Sequence, residues 1–229
     1  MLVFWNMDNG AIMNKPICYI VGAGENYGLD FIPDEGDYII AVDGGYQYLT
    51  QENIPADLVI GDFDTLQYVP DHDNVIKLPP EKDDTDMRAA VQEGIGKGYE
   101  IFRIYCGTGG RIDHTIANLQ LLAELAEGGR QGFLSDRECE ITAIKNAEMR
   151  FPKSAAGYLS VFAHSGKAEG VFLKGLKYEL TDAVLTDTWA LGVSNEFTGE
   201  EASVSVRKGT LLVVFPRTAL DGISVCGFS

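Results

Sequence analysis

Aspartates recur in four short motifs whose residue types suit metal and phosphate chemistry. Asp43 closes Ala41-Val42-Asp43-Gly44-Gly45, and Asp62 and Asp64 lie in Gly61-Asp62-Phe63-Asp64-Thr65. Asp83, Asp84 and Asp86 lie in Lys82-Asp83-Asp84-Thr85-Asp86, while Arg111, Asp113 and His114 follow Gly107-Thr108-Gly109-Gly110. Converging carboxylates repel, and each raises its neighbours' pKa, so something positive must sit among them. Hard oxygen ligands without a His or Cys pair suit Mg²⁺, which takes one or two carboxylates, keeps waters and is completed by substrate phosphates. An extended Asp62-Phe63-Asp64 would place its two carboxylates on one face, with Phe63 turned away to pack. Gly107, Gly109 and Gly110 can present backbone N–H groups and a helix N-terminus to an anion. Arg111 adds a forked donor for phosphoryl oxygens, and Asp113 suits the cap of a helix beginning near His114.

Each motif has a plain structural reading when taken singly. Asp43-Gly44-Gly45 has turn composition, Asp62 and Asp64 fit a solvated loop, and Asp83, Asp84 and Asp86 fit the first turn of a helix. Arg111 could simply pair with a nearby acid, and His114 fits a structural role. The joint pattern is harder to dismiss, because each motif comes just after a predicted strand. In an open parallel sheet all strand C-termini share one edge, and ligands bind beyond it.

The elements that would create this edge are legible as alternating β-branched runs and helical patterns. Strands are expected at 17–21, 38–42, 58–60, 75–78 and 101–105. Helices are expected at 85–95 and 115–127, the second with Ile116, Leu119, Leu122, Ala123 and Ala126 at helical spacing and Gly128-Gly129 as its stop. After about Ser135 the pattern turns to period-two runs at 141–145, 159–163, 202–207 and 210–215. Arg207-Lys208-Gly209-Thr210 reads as a hairpin turn joining the last two. The chain is therefore expected to be α/β: an N-terminal parallel sheet with flanking helices over residues 13–138, then a smaller all-β, sandwich-like domain over 139–229. Residues 1–12 read as a loose prefix, with Met13 as a candidate start.

Gly22-Ala23-Gly24-Glu25-Asn26-Tyr27-Gly28 follows the first strand, and Asp43 ends the second, which imitates a dinucleotide-binding fingerprint. Its spacing is G-x-G-x-x-x-G, one residue too long, and no G-x-x-x-x-G-K-[ST] loop occurs.

Composition removes several classes. The 229 residues carry 18 Lys+Arg against 34 Asp+Glu, a formal net charge of −16. That balance argues against a broad electrostatic grip on nucleic acid or an anionic membrane. No apolar run approaches the roughly 20 residues that span a bilayer, and no secretory pattern opens the chain. Cys18, Cys106, Cys139 and Cys226 form no CxxC pair and no metal-ligand spacing, which fits reduced thiols in a cytoplasm.

In their order, Asp43-Gly44-Gly45, Gly61-Asp62-Phe63-Asp64-Thr65, Lys82-Asp83-Asp84-Thr85-Asp86 and Gly109-Gly110-Arg111-Ile112-Asp113-His114 resemble the motif series of thiamine pyrophosphokinases. Gly175-Leu176-Lys177-Tyr178 and Val193-Ser194-Asn195-Glu196 are similar to the thiamine-binding segment of that family. The resemblance runs from about Ile17 to Phe215. It implies transfer of pyrophosphate from ATP to the hydroxyethyl oxygen of thiamine, and a homodimer with thiamine held at the subunit interface.

By the same resemblance Asp62, Asp64 and Asp86 would hold Mg²⁺, and Asp43 would lie near the metal or substrate. Lys82, Gly107, Thr108, Gly110, Arg111, Asp113 and His114 would line the nucleotide region, and Tyr178, Ser194 and Asn195 would meet thiamine. Tyr178 stands where many relatives carry Trp. The catalytic base is left between Asp113 and Asp43. Competing readings are a pyrophosphokinase acting on another hydroxymethyl heterocycle such as a pterin, and a nicotinamide-dependent oxidoreductase. The acidic surface would favour thiamine, whose thiazolium is cationic.

Overall fold

A computed structural model describes residues 15–81 and 83–228. Lys82, Met13 and the 1–12 prefix lie outside the described residues. The chain divides into two units, one comprising Lys15–Leu121 with Gly132–Arg137, the other running from Glu138 onward with Leu122–Gln131.

The first unit is the expected parallel sheet. Its elements are β1 (Ile17–Val21), β2 (Tyr38–Val42), α1 (Gly45–Gln51), β3 (Leu58–Gly61), β4 (Val75–Lys77), α2 (Asp86–Gly96), β5 (Ile101–Tyr105), α3 (Ile112–Glu127) as far as Leu121, and β6 (Gln131–Ser135) from Gly132. The strand order is β6-β5-β1-β2-β3-β4, with β1 parallel to β2 and β5, β3 parallel to β2, and β4 parallel to β3. Successive strands move outward from β1 as far as β4, and β5 then returns to the other side of β1. Every residue of β1 is buried, as continuous apolar runs in a doubly covered sheet require.

The crossover from β1 to β2 contains no helix. Phe31 takes that place: its ring stacks on Tyr19 at 4.1 Å and meets Tyr105 at 5.1 Å, covering β1 and β5. Some of the acidic excess has structural work at the opposite edge. The Asp37 carboxylate accepts from the Ile17 and Asp34 N–H groups, and Asp57 accepts from the Ile39 N–H.

Two local expectations change. Helix α3 begins at Ile112, so Asp113 lies within its first turn and is not a flanking cap. Its buried residues include Asn118, Leu121, Leu125 and the expected Leu122 and Ala123, while Ile116 is exposed. The expected stripe started from Ile116, an apolar residue that the helix turns outward.

The second unit is antiparallel: β7 (Cys139–Lys145), β8 (Ala147–Phe151), β9 (Tyr158–Lys174), β10 (Leu180–Thr186), β11 (Gly192–Glu196), β12 (Ala202–Pro216) and β13 (Ser224–Gly227), with one short 3₁₀ turn at Arg217–Ala219. The hairpin expected at 207–210 does not form. Both runs belong to the single strand β12, which pairs with β8 through Ala202–Ser205 and with β7 through Thr210–Pro216. Gly209 has φ 112, and the register against β9 shifts between Lys208 and Thr210. A turn-like composition therefore produces a bulge and a bend. The bend lets one strand serve two sheet halves, whose inner faces meet where Phe151 of β8 packs on Phe215 of β12 at 5.3 Å.

Candidate active site

Among the described residues, a group of three carboxylates lies beyond the ends of β2 and β3. Asp43 follows β2 immediately, and its N–H donates to the Ile60 carbonyl at 2.9 Å. Its φ is 46, a left-handed conformation that Asp tolerates better than most residues. The chain then turns into α1 through Gly45, where a Cβ would lie 2.0 Å from the Val21 carbonyl oxygen. Gly45→Ala is accordingly expected to destabilise the fold by about 3 kcal/mol, measured by urea unfolding, because the obstacle is backbone.

Asp62-Phe63-Asp64 is not extended. Phe63 adopts φ 64 and is 3% exposed, so its ring packs inward as expected while the backbone turns around it. The Asp64 N–H donates to Asp62 Oδ1 at 3.2 Å, and the Thr65 hydroxyl donates to Asp64 Oδ1 at 3.2 Å. One carboxylate oxygen from each of Asp43, Asp62 and Asp64 lies within 4.8 Å of the other two.

Such a group is electrostatically unfavourable by itself. Asp43 is 6% exposed, and its Oδ1 is buried without a hydrogen-bond partner. Burial pushes the Asp43 carboxyl above the usual carboxylate range, the Thr65 hydrogen bond opposes this, and the charges of Asp64 and Asp62 push it further up. A buried acceptor with no donor, facing two more carboxylates, is the environment that a hard divalent cation relieves. The donor set fits Mg²⁺.

Asp86 is in the first turn of α2 and is not a member of this group. Its helix is capped by Thr85, whose hydroxyl accepts the Arg88 N–H at 3.1 Å. Asp84 accepts the Thr85 N–H and pairs with Arg88 at 2.5 Å, so that acid has a structural occupation. Asp83 is exposed.

The glycine-rich segment follows β5. Gly109 and Gly110 have φ 80 and 60, and Thr108 is buried with its hydroxyl donating to Asp136 at 3.0 Å. The buried Asn118 amide donates to the Gly107 carbonyl at 2.7 Å. This positioning contact was missed at the level of sequence, although a polar residue on the buried stripe of α3 was its signal. Arg111 is 71% exposed in its side chain and pairs with Asp113 at 2.5 Å. The hydrogen bond from Arg111 holds the Asp113 carboxyl below the usual range. His114 is exposed on the same turn.

Tyr178, Ser194 and Asn195 belong to the second unit. Asn195 is buried, and its side chain clamps the Tyr178 backbone: Oδ1 accepts the Tyr178 N–H at 2.9 Å, and Nδ2 donates to the Tyr178 carbonyl at 2.7 Å. Tyr178 is 61% exposed, with Lys177 Nζ 5.6 Å from its ring centroid and held by Glu196 at 2.7 Å. Ser194 has φ 57, and its N–H donates to the Ser160 hydroxyl at 3.0 Å. Asn195 thus works first on Tyr178. Asn195→Ala removes both side-chain partners of the part-buried Tyr178 backbone and is expected to destabilise the fold by about 2 kcal/mol, read from urea unfolding.

Residues 32–132 match the profile of the thiamin pyrophosphokinase catalytic domain, and residues 146–211 match that of the thiamin pyrophosphokinase vitamin B1 binding domain. The chain is 29% identical over 210 residues to the thiamine pyrophosphokinase of Bacillus subtilis (strain 168), covering 87% of this chain and 98% of that one. Among solved structures, a thiamin pyrophosphokinase family protein from Enterococcus faecalis is 30% identical with a TM-score of 0.75, over 89% of this chain and 99% of that one. Thiamin pyrophosphokinase from Candida albicans is 15% identical over 88% of each chain and shares the fold, with a TM-score of 0.70. Two matched profiles in the family's order, and relatives aligned over nearly their whole length, show that the chain belongs to the thiamine pyrophosphokinase family.

Proposed function

We propose that the chain transfers the pyrophosphoryl group of ATP to the hydroxyethyl oxygen of thiamine, giving thiamine diphosphate and AMP. The observation that carries this reading is the group of Asp43, Asp62 and Asp64 at the edge of a sheet whose loop after β5 carries Gly109, Gly110 and Arg111, in a chain of this family. The thiamine oxygen attacks the β-phosphorus as the bond to the α-phosphate bridging oxygen breaks, and AMP leaves with that electron pair. Such transfers depend on positioning and on stabilising charge.

Asp43, Asp62 and Asp64, with Asp86 from α2, would hold Mg²⁺. When bound, that ion supplies positive charge against the phosphoryl oxygens. Gly107, Thr108 and Gly110 would cradle phosphate, with Lys82 and His114 lining the same region. Arg111 would exchange Asp113 for a phosphoryl oxygen. That exchange frees Asp113 from the contact that depresses its pKa, so it becomes a better acceptor for the hydroxyl proton when nucleotide is present.

Tyr178 would stack against thiamine, whose thiazolium charge suits an aromatic face, with Ser194 and Asn195 beside it. A homodimer with thiamine at the subunit interface is part of the proposal. Supporting it are the exposed Tyr158, Tyr178 and Trp189 of the second unit and the exposed Ile112 and Ile116 at the start of α3. A cytoplasmic location is supported by four free cysteines. Among the described residues no helix is long and apolar enough to cross a membrane. Incubation with thiamine, ATP and Mg²⁺ is expected to yield thiamine diphosphate and AMP one to one on chromatography. ADP in place of AMP would overturn pyrophosphoryl transfer.

A further inference from the structure

The loop after β1 has no role in the proposed reaction as described, although its Gly22–Gly28 segment occupies the place of a dinucleotide fingerprint. It leaves the sheet at the topological switch point: β2, β3 and β4 lie on one side of β1, and β5 and β6 lie on the other. Ligands of open α/β sheets bind in the crevice where the loops of two such neighbouring strands part. Here they part late. The N–H groups of Gly22, Gly24 and Glu25 donate to the carbonyls of Tyr105, Cys106 and Thr108 at 2.9, 2.8 and 3.0 Å, so the two loops stay zipped as far as Glu25.

Beyond Glu25 the walls carry a small set of chemically distinct groups. The Tyr27 hydroxyl donates to Glu25 Oε2 at 3.0 Å, and the Arg137 guanidinium lies over the Tyr27 ring, 5.2 Å from its centroid. Asp136, just after β6, accepts both the Thr108 hydroxyl at 3.0 Å and the Arg137 N–H at 2.8 Å, tying this wall to the glycine segment. A Cβ on Gly109 would lie 2.7 Å from the Glu25 Cγ, so the Glu25 side chain lies directly on the glycine turn. Glu25 and Arg137 are exposed and Tyr27 is half-buried, which leaves them accessible to a ligand.

We propose that this cluster is the base-binding end of the nucleotide site, with Tyr27 and Arg137 as the stacking platform for the nucleobase and Glu25 as the acceptor for ribose hydroxyls. The inference rests on the phosphates lying over the aspartate group. Strand order then sets the span: from Asp43 after β2 to Arg137 after β6 is three strand spacings, roughly 14 Å at about 4.8 Å each. That matches the reach of an extended nucleoside triphosphate from base to terminal phosphates. Polarity agrees, because the acids that need a cation sit at one end and an aromatic ring with a guanidinium sits at the other. Stacking on a ring with a layered guanidinium is tolerant of base identity, since every base has a π-face.

The test is calorimetric binding of two probes with Mg²⁺ present, ATP and inorganic tripolyphosphate, which keeps the phosphates and lacks base and ribose. Tyr27→Ala is expected to weaken ATP about tenfold or more and to leave tripolyphosphate within twofold, while Tyr27→Phe retains ATP binding close to wild type. Equal losses on both probes, or no loss on ATP, would overturn the assignment. Thiamine diphosphate formation in the same preparations separates the two readings. A chain that binds ATP through Tyr27 and forms no thiamine diphosphate sinks the proposed reaction and supports this site. A chain that forms it with Tyr27→Ala unaltered in ATP affinity sinks this site alone. Wild type that binds neither probe overturns both.

Discussion

Asp43→Asn is expected to lower turnover by at least about a hundredfold and, in the absence of metal, to make the protein more stable. The two effects have one origin. Asp43 is buried with one carboxylate oxygen unpartnered, and Asp62 and Asp64 bring their charges within 4.8 Å. An amide removes the charge that burial and those neighbours penalise, keeps the shape, and tolerates the left-handed φ at least as well. The gain should be on the order of 1 kcal/mol, or about 2–4 °C in Tm for a chain of this size. Added Mg²⁺ should raise the Tm of the wild type and hardly move that of the variant. Thermal unfolding with and without Mg²⁺, beside a turnover assay, reads both. A variant less stable than wild type without metal would mean that Asp43 is a structural acid.

Arg111→Ala should show the opposite balance, a large loss of rate with no loss of stability. Its side chain is 71% exposed and its ion pair with Asp113 is a surface pair, so the unfolding midpoint in urea should not change measurably. In the proposed reaction its position after the glycine segment would put a forked donor where phosphoryl charge develops, and removing such a donor costs about 10²–10³ in rate. Arg111→Lys should recover only part of that loss, since an ammonium cannot reproduce the fork. Steady-state kinetics with ATP varied, together with urea unfolding, separates the two quantities. A rate within threefold of wild type would remove Arg111 from the phosphate site.

The sheet was legible in the sequence where apolar residues dominate a strand. Strands β1 and β2 are continuous apolar runs and β5 is broken only by Arg103, and their observed limits are the expected ones. Elements whose local signals conflict were harder to see. Helix α1 has seven residues and starts on glycine, and β6 reads Gln-Gly-Phe-Leu-Ser, with two polar residues that the fold buries. Arg207-Lys208-Gly209-Thr210 has the composition of a turn, and only its pairing with neighbouring strands reveals a bend within β12.

The acids of the site were visible as motifs because each follows a strand, but their grouping was not. The left-handed backbones of Asp43 and Phe63 decide which carboxylates meet, and tertiary contacts set those angles. Asn195 shows the same limit. Its motif marked it for thiamine, whereas its amide is engaged first in holding Tyr178 in place, a contact made across 17 residues of sequence.

The proposed reaction depends most on the acids at the sheet edge holding a divalent cation. Mn²⁺ titrated into the protein and followed by electron paramagnetic resonance tests that directly, because bound and free ions give different signals. Wild type should remove Mn²⁺ from the free pool, Mg²⁺ should compete it back, and Asp62→Asn, folded by circular dichroism, should lose the bound fraction. Undiminished Mn²⁺ binding by Asp62→Asn, or none by the wild type with ATP present, would contradict the account.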